Sequence, residues 1–145
     1  MSVLAWVAAG VALGAAFLGF AVAGDAARER RILATGLVVA AAVYVGFALA
    51  AASPSRILLE LAGVGVFAMP AAGSRGRPLV LAAGWGAHAL WDVVLHLGGP
   101  IAGVEWYAAL CLGFDPLVAG VIAARAMRPG PVAPWRGVRD VWREK

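Results

Sequence analysis

The chain is predicted to fold as an all-α bundle of five transmembrane helices, on three observations. Of its 145 residues, 63% are hydrophobic and only 14% are charged, whereas a soluble domain sits nearer half apolar and a quarter charged. Mean hydropathy is +0.87. The apolar residues gather into five runs of roughly bilayer-spanning length, separated by short stretches that hold arginines or turn-forming residues. This length accommodates one bundle over residues 1–127 and a Pro- and Arg-rich tail over 128–145, with no second domain.

Each element can be justified in turn. The first run, Val3 to Gly24, is long enough to span. Ala21-Val22-Ala23 has the small residues of a signal-peptide cleavage site, but no positive segment precedes the run, so a retained helix is expected. Gly10 and Gly14 form a GxxxG pair that lets a neighbouring helix approach. The polar loop Asp25 to Arg31 follows, and then a second run, Ile32 to Ala52. Its polar side chains, Thr35 and Tyr44, are tolerable in a helix, and it is read as scaffold.

Ser53-Pro54-Ser55 signals a turn. The third run, Arg56 to Ala72, contains Pro70, which is expected to bend or end it. Glu60 lies one turn inside its start. After Ser74-Arg75-Gly76-Arg77-Pro78 comes the fourth run, Leu79 to Leu97, closed by Gly98-Gly99-Pro100. The fifth run, Trp106 to Met127, has Asp115 and Pro116 near its middle. Pro116 frees a carbonyl one turn back, near Leu112. In the tail, Trp135, Val138 and Trp142 alternate with Arg136, Arg139 and Arg143, the pattern of a short amphipathic segment on an anionic membrane surface.

The net charge of +4 is carried mostly by loop and tail arginines. In a soluble protein it would point to nucleic acid. Here no nucleic-acid partner is expected, and the arginines are read as orientation signals. Arg28, Arg30, Arg31, Arg75, Arg77 and the tail fall on one side of a five-span chain, while the second loop has only Arg56 and the fourth has no lysine or arginine. The positive-inside rule then puts the N-terminus outside and the C-terminus in the cytoplasm of a bacterial inner membrane. A single cysteine, Cys111, excludes an intrachain disulfide.

The fourth run carries both histidines of the chain. His88, Asp92 and His96 are spaced i, i+4, i+8, one face of a helix. Ionisable groups at mid-membrane cost about 2.5–3.5 kcal/mol each and tend to face protein or water. With the orientation above, Asp92 lies about 6 Å and His88 about 12 Å deeper than His96. Asp115 on the fifth helix comes level with His88 at this rise, while Cys111 and Glu60 come near the level of Asp92.

Imidazole and carboxylate together suit zinc or another first-row divalent ion. The candidate ligands are His88, Asp92, His96, Asp115 and Glu60, although His88 and His96 are about 12 Å apart along the axis and cannot share one ion. A two-metal site bridged by Asp92 has less support. A second reading is metal-free acid–base catalysis by His88, Asp92 and Asp115 on a hydrophobic or lipid-like substrate. A third is a proton or cation path through a small transporter or channel subunit. The plain alternative is interhelical hydrogen bonding in a non-catalytic scaffold, at about 0.6–2 kcal/mol per contact. That role suffices for one such residue, whereas five at matching depth favour a functional site.

Other residues read more plainly. His96, near the interface, could be solvated. Glu105 is expected to be a solvated helix-start residue, and Cys111 a small buried hydrophobe. Trp85 and Trp91 could line a substrate cavity, with plain packing favoured. Trp6, Trp106 and Tyr107 read as interface anchors. Small-residue faces leave homo-oligomerisation open.

His88-Ala-Leu-Trp91-Asp92 followed by His96, and then Trp106-Tyr107, Cys111 and Asp115, resembles a family of small bacterial integral membrane proteins of unknown function. The likeness spans Gly84 to Val121. It implies a compact helical membrane protein with a purpose for the His/Asp face, and supplies no mechanism.

Overall fold

The computed structural model describes residues 2–98 and 103–128. These form five helices, and there is no strand among the described residues. They are α1 (Val3–Val22), α2 (Ala26–Ala50), α3 (Pro54–Gly73), α4 (Pro78–Leu95) and α5 (Glu105–Met127). All five are long and apolar enough to cross a membrane. The amphipathic pattern at Trp135, Val138 and Trp142 and the Gly99-Pro100 part of the expected break lie outside the described residues.

The helix starts follow from local chemistry. The Ser2 hydroxyl caps α1 by accepting from the Ala5 amide at 3.3 Å. The Asp25 carboxylate caps α2 by accepting from the Arg28 amide at 2.7 Å. This cap explains why α2 begins at Ala26, six residues ahead of the apolar run. The free N–H groups of a first turn are satisfied by an acidic cap, and Arg28 to Arg31 are then carried on helix instead of loop. Pro54 and Pro78 open α3 and α4, where a missing N–H costs nothing.

Pro70 corrects one half of an expectation. It does not end α3, which continues to Gly73. Proline withdraws one backbone bond near the end of the helix, and its ring is seated against Gly84 of α4. A Cβ at Gly84 would lie 2.9 Å from Pro70 Cγ.

The helices close into a ring in chain order. Each packs on the next, α5 returns to α1 with the most extensive contact, and α2 also reaches α4 across the middle. The α1–α5 contact rests on glycine. A Cβ at Gly10 would collide with the Leu110 carbonyl oxygen, and one at Gly113 with the Val7 carbonyl oxygen. Backbone therefore meets backbone, the close approach that small residues permit in a membrane. Inside lie Leu33, Leu37, Phe67, Leu81, Trp85 and Val118. Outside lie Leu4, Leu58, Met69, Leu90 and Val94, all at least 64% exposed. An apolar exterior of this extent is suited to lipid and not to water. Trp6 and Trp106 meet at one end of the bundle with ring centroids 5.2 Å apart and planes tilted by 48°.

Gly113→Val should cost about 1–3 kcal/mol through overpacking. The same change at Gly120, where nothing lies within 4 Å of the added Cβ, should cost less than about 0.5 kcal/mol. Unfolding in mixed micelles measures both; equal losses would mean that α1 and α5 do not meet at Gly113.

Candidate metal centre

The chain buries three of its acids together with both imidazoles. Glu60, His88, Asp92, His96 and Asp115 are each at most 2% exposed. They come from α3, α4 and α5. On α4, His88 and Asp92 share the inward stripe that also holds Leu81 and Trp85. His96 is the C-cap of the same helix, and its amide donates to the Asp92 carbonyl at 3.0 Å. On α5, Cys111 and Asp115 share the buried stripe with Ala108 and Val118. On α3, Glu60 shares one with Gly63 and Phe67.

Acid and imidazole alternate through this interior. Glu60 Oε1 is 3.0 Å from His96 Nε2. His96 Nδ1 is 3.7 Å from Asp92 Oδ1, and Asp92 Oδ2 is 3.6 Å from His88 Nδ1. His88 Nδ1 is in turn 2.7 Å from Asp115 Oδ2. An ionised carboxylate can only accept, so Nδ1–H donates in that last bond when Asp115 is charged. Asp92 is the middle member, flanked by both rings and within hydrogen-bond distance of neither.

Two sub-sites follow. Donor atoms of His88, Asp92, Cys111 and Asp115 all lie within 4.8 Å of one another. A tetrahedral zinc ion with N, O and S ligands needs edges of about 3.3–3.8 Å, so side-chain adjustments of about 1 Å bring this group onto an ion. The group offers one imidazole, two carboxylates and a thiol, a set suited to zinc or another first-row divalent cation. His96 and Glu60 stand outside it and pair with each other. Tyr44 stacks on the His96 ring, with centroids 3.6 Å apart and planes 11° apart. Phe67 meets the His88 ring edge-on at 4.8 Å. These contacts hold both imidazoles in place around Asp92.

The unpartnered polar atoms concentrate in the same place. Among the described residues, buried side-chain atoms with no hydrogen-bond partner are Tyr44 Oη, Trp85 Nε1, His88 Nε2, both Asp92 oxygens, His96 Nδ1 and Asp115 Oδ1. Each orphan costs about 1–3 kcal/mol. Every one of them belongs to the His/Asp interior or borders it.

The expected site residues thus converge, with the His88–Asp92 pair joined by Asp115 and His96 joined by Glu60. His88, Asp92 and Asp115 meet. Glu60 comes to the level of His96 instead of Asp92. His96 is buried and paired, which corrects the solvated reading: Glu60 and the Tyr44 ring replace water around it. Cys111 enters the four-donor group. Tyr44, read as scaffold, belongs to the polar interior, and the depth matching applied to Glu60 could have found it, since α2 ends near the level of His96. Trp85 lines a cavity beside Asp115. Trp91 packs, with its ring 3.0 Å from where a Gly63 Cβ would lie. Glu105 stays at the start of α5, accepting from the Gly103 amide at 2.8 Å. Tyr107 is more than an anchor, because its hydroxyl donates to the Ala40 carbonyl at 3.2 Å.

Fold and interior together define a polytopic helical membrane protein with a buried imidazole–carboxylate–thiol group capable of holding a metal ion. No family model matches the chain, nor does any curated protein or solved structure.

Glu60→Ala and His96→Ala should each destabilise by as much as about 3–5 kcal/mol, because either leaves a buried partner unpaired. A double-mutant cycle should give a coupling of about 0.6–1.7 kcal/mol. Strict additivity would show that the two side chains do not meet in the membrane.

Proposed function

We propose that the protein is a membrane-embedded metal-site protein that holds one divalent, zinc-like ion on His88, Asp92, Cys111 and Asp115 and acts on a hydrophobic or lipid-like substrate. One observation carries this reading: four potential ligands lie within 4.8 Å of one another at no more than 3% exposure, with both Asp92 oxygens unpartnered. Hydrogen-bond glue leaves those oxygens unsatisfied in a low-dielectric interior, where that is costly. A cation answers them and offsets the charge of two carboxylates and a thiolate. Such an ion supplies Lewis-acid polarisation of a bound oxygen. Glu60 and Tyr44 then hold the His96 ring, whose Nδ1 faces Asp92, the supporting role that carboxylate–histidine pairs play around metals.

The transporter reading draws less support. The stretches on the far side of the cluster, Pro78 to Trp85 on α4 and Pro116 to Ala124 on α5, contain no ionisable residue to continue a path. The arginine distribution supports an extracytoplasmic N-terminus and a cytoplasmic C-terminus, which sets the site in the outer half of a bacterial inner membrane. The resemblance of the His88-x-x-Trp91-Asp92-x-x-x-His96 motif to an uncharacterised membrane family agrees with this and adds no activity.

Elemental analysis of purified protein should find one zinc-like ion per chain. His88→Ala, Asp92→Asn and Asp115→Asn should abolish it. Glu60→Gln should keep the site but weaken affinity by about 10–100-fold. Well-folded wild type that takes up no stoichiometric metal, even when supplied with zinc, would remove the proposal. Independently, a cytoplasm-dependent reporter fused after Lys145 should be active; activity only of a periplasm-dependent reporter would reverse the orientation.

A further inference from the structure

A cavity of about 230 Å³ adjoins the polar interior. Phe17, Gly36, Val39, Trp85, Leu110 and Phe114 form its apolar walls, and Cys111 and Asp115 border it as well. It is thus contiguous with two of the four residues assigned to the metal. Its walls come mainly from α2 and α5, whose backbones stay apart. Among the described residues, contacts at the two ends tie these helices across the gap: at one end the rings of Tyr44 and Phe47 meet those of Trp106 and Tyr107. Tyr107 Oη donates to the Ala40 carbonyl on the same side. Toward the other end, Arg125 Nη1 pairs with Glu29 Oε1 at 2.6 Å. Between those ties the cavity is open, and Val39 at its rim is 56% exposed. In a bilayer, that exposure faces acyl chains.

Gly36 keeps the space clear. A Cβ there would lie 2.7 Å from Phe17 Cζ and 3.3 Å from Trp85 Cζ2. The volume exceeds the roughly 150 Å³ of an apolar cavity that accepts benzene and falls short of the roughly 300 Å³ at which drug-sized pockets begin. At about 30 Å³ per water-sized group, it takes a single ring or a chain of about eight carbons.

The polar complement narrows the head group. Trp85 Nε1 and Asp115 Oδ1 are buried without partners, and both residues border the cavity. An indole N–H can only donate, and a carboxylate can only accept. Asp115 Oδ2 is the oxygen turned to His88 and the rest of the metal group, which leaves Oδ1 to accept from a ligand; a carboxylate ligand has no proton to give it. A carbonyl would serve Trp85 alone, and an ammonium Asp115 alone. A hydroxyl accepts and donates at once.

We propose that the gap between α2 and α5 is a lateral opening from the bilayer into a binding pocket for a small apolar alcohol, or the hydroxylated end of a longer lipid, whose oxygen meets Trp85 and Asp115. The assignment deepens the metal-site reading by naming the class of its substrate, and rests on it for any reaction.

The test uses full-length protein in nanodiscs and two photoreactive probes, an eight-carbon primary alcohol with a diazirine in its chain and the matching hydrocarbon without the hydroxyl. The alcohol should label peptides containing Val39, Leu110 or Phe114, and excess octan-1-ol should compete. The hydrocarbon should label those sites about tenfold less, the effect of losing one hydrogen bond to a charged group. Val39→Trp at the rim and Gly36→Val in the wall should each cut labelling at least about tenfold while keeping the wild-type metal content. Val39 faces lipid, so its replacement tests the opening even if Gly36→Val fails to fold. Labelling spread evenly over lipid-facing positions such as Leu58 and Val94, or undiminished in Val39→Trp, overturns the pocket. Equal labelling by the hydrocarbon overturns the hydroxyl assignment. Saturable alcohol labelling of a protein that binds no metal would uphold the pocket and remove the metal reading; stoichiometric metal without saturable labelling would do the reverse.

Discussion

A carboxylate sealed from solvent inside a bundle of apolar helices has to be met by partners or by a cation. Asp92 imposes this constraint on the structure. Its side chain has no exposure, and its oxygens face an imidazole on each side at 3.6 and 3.7 Å. The imidazoles need partners in turn, and these come from other helices: Asp115 of α5 for His88 and Glu60 of α3 for His96. One buried acid on α4 thus sets the rotation of both neighbouring helices about their axes, because breaking any link leaves a charge or a polar atom stranded in a low-dielectric medium.

Dispersion packing completes the arrangement where electrostatics ends. The side of α5 turned to α1 is held by glycine, with Gly113 against the Val7 backbone and Gly10 against that of Leu110. The adjoining side presents Asp115 to His88. At the end of the bundle where α1 and α5 begin, Trp6, Phe47, Trp106 and Tyr107 interlock. This aromatic layer meets Tyr44, which stacks on His96. The polar interior is bounded by rings at that end and by Leu37, Leu81 and Trp85 farther along the bundle. Shape and charge are therefore coupled: the close α1–α5 contact keeps α5 in the ring, and the ring brings the ligands within reach.

Axial position was legible for most of these residues, while the rotation of each helix against its neighbours was not. Counting 1.5 Å per residue from the loops brought Asp115 level with His88, and the two are in fact hydrogen-bonded. The same arithmetic set Glu60 at the level of Asp92, whereas it bonds His96: counting places the backbone, and a helical side chain leans toward the N-terminus of its helix, here the end where His96 lies. Tyr44 looked like scaffold, since one phenol in an apolar run has no partner in its own helix. Cys111 looked like a small hydrophobe for the same reason. Pro70 looked like a stop because the space that accommodates its ring belongs to Gly84, on another helix.

The amino-acid order by itself determined that five apolar helices form, roughly where they begin and end, and which costly side chains they carry. Those properties depend on hydropathy and on hydrogen bonds within one segment. Only the tertiary structure decided that Cys111 joins His88, Asp92 and Asp115, that His96 turns to Glu60 and Tyr44, and that a cavity remains between α2 and α5. These outcomes depend on how each helix is rotated against its neighbours, and that rotation is set by contacts between segments far apart in the chain.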